Sequence, residues 1–178
     1  MSSGTSYGGG GFGGSILGDI TGVQQHAQHH SSGHGDESLF GNALAMLQAK
    51  ESNLANEDVD EEHMVKAHKS YFGSGGEGGN ATSGGIGAAS AMQALKMFNG
   101  GTSEGGESSQ QEFIGMAMGQ AAKLFEQQQS AGNVAEGESK QSAVQQAGEA
   151  ALKMYMKSEM GNNSSGGGGL MSLASKFM

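Results

Sequence analysis

Three stretches of this chain close in the same way, and that recurrence constrains the fold more than any other feature. Ala94-Leu95-Lys96-Met97-Phe98 returns as Ala151-Leu152-Lys153-Met154-Tyr155, and more loosely as Ala43-Leu44-Ala45-Met46-Leu47. In each, apolar residues fall three and four apart, and Ala, Leu, Met and Lys are good helix formers, so each reads as the end of an amphipathic helix. The stretches recur at intervals of about 50 residues, the length of one helix pair. The expected fold is therefore all-α, a bundle of about six short amphipathic helices. Two readings of the recurrence stay open. The chain repeats a helix pair three times and buries apolar faces by stacking the pairs, or these residue types recur only because they suit helices.

The first helix is expected over Glu37 to Asn53, with Leu39, Phe40, Ala43, Leu44, Met46 and Leu47 as its stripe. The second runs from Val59 to Phe72 and turns Met64, Val65, His68, Tyr71 and Phe72 inward. The acids before it, Asn56-Glu57-Asp58-Val59-Asp60-Glu61-Glu62, resemble a carboxylate pair for acid–base work. A helix start explains them better, with Asp58 and Glu61 as a capping box and acids complementing the helix dipole. The third helix, Gly84 to Phe98, is ended by Asn99-Gly100 as a left-handed cap. The fourth spans Ser109 to Ser130, opened by Ser109 and Glu112, and its stripe from Phe113 to Phe125 is the cleanest in the chain. A fifth is expected from Val134 to Met160 and a sixth from Gly169 to Met178.

Glycine fills 34 of the 178 positions, and it separates these segments. Residues 1–36 read as a disordered Gly/Ser/His-rich tail and 37–178 as the helical domain, with Gly-rich linkers near 73–83, 99–108 and 161–169. Within the tail only Ser15 to Val23 could form a helical turn, too short to stand alone. Leu, Ile, Val and Phe together stay below the roughly one-fifth that marks disorder risk at high net charge, so the core is thin.

Composition also excludes function classes. The net charge is −9 and no Arg is present, which disfavours nucleic acid and anionic membrane, both of which reward cationic side chains. No uncharged stretch is apolar enough to span a bilayer. The absence of Cys removes disulfides and thiolate chemistry and suits a reducing, cytoplasmic setting. The start of the chain has no basic region or apolar run of the secretory kind.

Few groups point to chemistry. His26, His29, His30 and His34 form a tract that could hold a transition metal loosely, although a polar tail explains it as well and no metal site is assigned. His63 and His68 lie about 140° apart around a helix and cannot chelate together. Ser83-Gly84-Gly85-Ile86-Gly87 looks like a phosphate-cradling loop but lacks the strand before it and the Lys after it; an anion could still meet the amides there. No nucleophile sits in a triad pattern. The expectation is a chain that is not an enzyme, with no catalytic residue, cofactor or metal. Its many Met residues suit either an adaptable helix-binding surface or a plain core.

Several segments carry a family likeness: Leu39-Phe40, Asp60-Glu61 with Ala67-His68, the run Gly87 to Phe98, Phe113 to Ala117, Lys140 to Val144, and Leu170 to Phe177. On these the chain resembles a family of small Gly-rich fungal proteins labelled "beta-flanking protein". The resemblance implies no established activity, cofactor or catalytic residue, and nothing in the residues suggests β structure. Two roles follow as expectations. One is a non-enzymatic intracellular helical module acting by self-association or partner-helix binding. The other is a hydrophilin-like stress protectant, largely disordered when dilute.

Overall fold

Where the apolar stripes go decides the architecture. In the computed structural model, which describes residues 20–73, 80–98 and 109–162, six α-helices follow one another and no strand occurs among these residues. They are α1 (Ile20–Ser31), α2 (Glu37–Leu54), α3 (Glu61–Phe72), α4 (Ser83–Met97), α5 (Ser109–Ser130) and α6 (Lys140–Asn162). The last three pack on one another. Each also carries one of the first three: α1 lies on α5, α2 on α6 and α3 on α4, while α1 also touches α2.

The core sits between the inner helices. Almost every residue of α4 from Ser83 to Leu95 is buried, so this helix has no polar face and needs neighbours all round. Ile86 and Leu95 meet Phe113, Ile114, Met116 and Met118 of α5 and Val144, Leu152 and Met154 of α6 in one buried cluster, which Phe40, Leu44 and Leu47 of α2 join. Caps fix where the helices begin. Asp36 accepts from Leu39 N at 2.8 Å, Thr82 from Gly85 N at 3.0 Å, and Ser139 Oγ from Ser142 N at 3.1 Å. Each satisfies an amide that has no partner inside its helix.

Glycines bring two pairs of these helices together closely. A Cβ on Gly115 would lie 2.5 Å from the Cβ of His26, and one on Gly119 would lie 2.7 Å from the Ala27 carbonyl oxygen. A Cβ on Gly87 would lie 2.8 Å from the Ala147 amide nitrogen. Thus α1 rests on the backbone of α5, and the α4 backbone lies against that of α6.

The helical class is as expected, and α2, α4 and α5 begin and end within a residue of their sequence-based bounds. Other expectations need correction. The tail assigned to residues 1–36 contains α1, whose Val23 and Ala27 are fully buried; residues 1–19 lie outside the described residues. A weak stripe became a helix because α5 offers it a wall. The capping residue of α3 is Asp60, which accepts from His63 N at 3.0 Å, and not Asp58. The fifth expected helix starts at Lys140 rather than Val134: Val134 pairs with Ala81 in an isolated parallel bridge, and Gly137 has φ +85°.

The linker near 73–83 is structured at its far end, where Ala81 is buried, and the linker near 161–169 begins inside α6. The Asn99-Gly100 cap, the linker near 99–108 and the helix expected over Gly169 to Met178 lie outside the described residues. Within the first expected helix pair, α2 packs on α6 rather than on α3. Phe72, expected inward, is 37% exposed at the end of α3, and Met46 is 45% exposed. Both belong to the outer helices.

Two substitutions test this packing. Gly119→Ala should destabilise by about 1–3 kcal/mol through overpacking, although Ala is the better helix former by about 1 kcal/mol, and should speed amide exchange across residues 20–31. Ser90 on α4 is fully buried and its hydroxyl has no hydrogen-bond partner, so Ser90→Ala should leave the melting temperature unchanged or raise it. A fall of several degrees would contradict that view of α4.

Candidate functional site

Two polar knots join parts of the chain that are far apart in sequence. In the first, the Glu138 carboxylate accepts from Ser83 N at 2.8 Å and from the Ser83 hydroxyl. Ser83 is buried at the first turn of α4, beside the bridge in which Ala81 N donates to Asn133 O at 2.7 Å and Ala135 N to Ala81 O at 2.9 Å. These hydrogen bonds hold the Glu138 carboxyl below its ordinary pKa. Tyr71 of α3 completes the knot, its hydroxyl 3.0 Å from where a Cβ on Gly85 would stand. Burial pushes the Tyr71 phenol up, a backbone hydrogen bond with Thr82 opposes this, and the charge of Glu138 adds to it.

This knot answers the question of the glycine-rich loop. The Ser83 amide at the start of α4 does meet an anion, and it is the chain's own Glu138. Gly85 and Gly87 serve close packing against Tyr71 and α6.

The second knot gathers at the start of α6. The Glu126 carboxylate receives Lys140 Nζ at 3.0 Å and lies 2.8 Å from His34 Nδ1, while Lys140 also donates to the His34 carbonyl at 2.8 Å. Lys140 first, and His34 after it, hold the Glu126 carboxyl below its ordinary pKa. The knot pins the α1–α2 connection to the end of α5.

Other residues singled out in the sequence fall into place around these. The acids before α3 tie it to α6, with Glu57 3.4 Å from Lys153 and Glu61 3.1 Å from Lys157. His68 bonds Gln93 of α4 at 2.9 Å, and His63 stands apart from it. His26, His29 and His30 share α1, while His34 belongs to the second knot. Burial, then His29 and His26, lower the pKa of His30. Among the methionines whose side chains are described, all but Met46 are buried in the core or packed against it.

A cleft of 140 Å³ opens between α3, α4 and α6 beside Asp60, His63, Gln146 and Lys153. Among the described residues, no three His, Cys, Asp or Glu side chains converge as metal ligands, and no helix is long and apolar enough to cross a membrane. Ser83 and Glu138, 55 positions apart, and His34 and Glu126, 92 apart, escape sequence reasoning because no local spacing links them.

A family model described as a domain of unknown function, DUF7721, matches residues 19–103. The match takes in α1 to α4, so α1 falls inside it. No curated protein and no solved structure matches the chain.

The two knots predict an acid limb in stability. Glu126 and Glu138 titrate lower in the folded chain than in the unfolded one, so their stabilisation is complete above the ordinary value of 4.5 and is lost as pH falls through the folded values. Denaturant unfolding should show stability dropping below that pH, and the double variant Glu126→Gln/Glu138→Gln should flatten the drop. An unchanged acid limb in that variant would show that neither carboxylate contributes.

Proposed function

We propose that the chain is a non-enzymatic, intracellular interaction module that self-associates by exchanging α1 between two copies. The observation carrying this reading is the way α1 is held. Among its described side chains, only Val23, Ala27 and Ser31 are buried, which is little apolar area for a helix of 12 residues. Its seat on α5 is a groove floored by Gly115 and Gly119, a shape that accepts a helix with small residues one turn apart. The tether is a left-handed turn at Ser32, φ 54°, and Gly33, φ 87°; Ser is rarely placed there, so opening the turn releases strain. Swapping an identical element keeps every contact of the closed form, a low-cost route to dimers. A foreign helix with the same small-residue spacing would fit the same seat.

The second role, a protectant disordered in dilute solution, draws on the 34 glycines and the thin aliphatic content. Circular dichroism on a dilution series separates the two, since the exchange reading requires strong helicity at low concentration. The chain has no cysteine, so Gln28→Cys provides a single labelling site on the exposed side of α1. Mixing spin-labelled with isotope-labelled protein should broaden α5 amides near Gly115 and Gly119 of the isotope-labelled copies, increasingly with concentration. No intermolecular broadening at millimolar protein would remove the proposal.

A further inference from the structure

We propose that α1 carries a binding site for a late-transition divalent ion, formed by His26 and His30. The two lie on one helix four residues apart, so their Cβ atoms stand about 5–6 Å apart, about 40° around the axis. Helical zinc sites use this i, i+4 spacing to bring two imidazoles to one ion. Docking on α5 holds both residues in place. A Cβ on Gly115 would lie 2.5 Å from the Cβ of His26, and one on Gly119 would lie 2.9 Å from the carbonyl carbon of His30.

The pair stands on the side of α1 away from α2. Gln24, on the other edge of α1, donates to the Glu37 carbonyl at 3.0 Å, which places α2 on that side. His26 and His30 stand on the edge away from α2, and both are half-buried. His29 is exposed and sits edge-on to His30, ring centroids 5.1 Å apart. It is offset about 60° around the axis from His26, outside the face the pair shares.

Two imidazole nitrogens with water in the remaining positions suit Zn²⁺, Ni²⁺ or Cu²⁺, and not Mg²⁺ or Ca²⁺, which prefer oxygen. Coordination to both rings closes the turn from residue 26 to residue 30 in helical form. Bound metal therefore stabilises α1, and protons compete with it as pH falls.

Titrating metal-free, full-length protein with NiCl₂ by calorimetry, while following the imidazole resonances by NMR, tests this. One equivalent should bind, and the His26 and His30 resonances should broaden first. His26→Gln or His30→Gln should each weaken binding by about tenfold or more, with helicity checked by circular dichroism. His29→Gln and His63→Gln should leave it within about twofold. Loss in His29→Gln equal to that in His26→Gln would overturn the assignment, as would first broadening at His34, His63 or His68.

Discussion

The fold depends on the enclosure of α4. A helix buried along nearly its whole length cannot be satisfied by one partner, because each side it leaves open exposes apolar surface to water. Helices α3, α5 and α6 supply the walls. Their close fit depends on how little side chain α4 presents: Gly85, Gly87, Ala88, Ala89, Ser90 and Ala91 are all buried. Small residues allow backbones to approach, and the gain comes from many short dispersion contacts rather than a few large side chains. That is how a chain poor in aliphatic residues still assembles a core. Methionine fills the irregular spaces left over, as at Met116, Met118 and Met154.

The outer helices follow from this arrangement. Each of α1, α2 and α3 covers one inner helix and shows its other side to solvent, which is why Met46 and Phe72 are exposed while Phe40 and Leu44 are not. Phe72 partly shields itself against the His68 ring, with centroids 5.1 Å apart. Within this shell α1 differs from the others. It sits on glycines of α5, and His26 and His30 lie on its edge away from α2.

Charge in this acidic chain is arranged around the helix ends. Of the carboxylates that look most chemical in sequence, Asp60 caps α3, and Glu57 and Glu61 pair with lysines of α6. Glu138, which accepts two hydrogen bonds from Ser83, lies in what reads locally as the start of a helix. It instead reaches across to the start of α4, meeting the positive end of that helix dipole.

Much of the helix map was legible in the residues. The stripe from Phe113 to Phe125 marked α5, and the recurrent Ala-Leu-Lys-Met segments marked α4 and α6, because period 3.6 is a property of local sequence. In α6, however, the segment lies inside the helix and not at its end. Three things were not legible: that residues 20–31 form a helix, that Lys140 rather than Val134 begins α6, and which helix covers which. A periodic stripe states that a face will be buried without naming what buries it. Only the folded chain supplied the α5 groove for α1, the Ala81–Val134 bridge that holds Val134 out of α6, and Ser83 as the partner of Glu138. These are contacts between distant segments, and their free energy exists only once the segments meet.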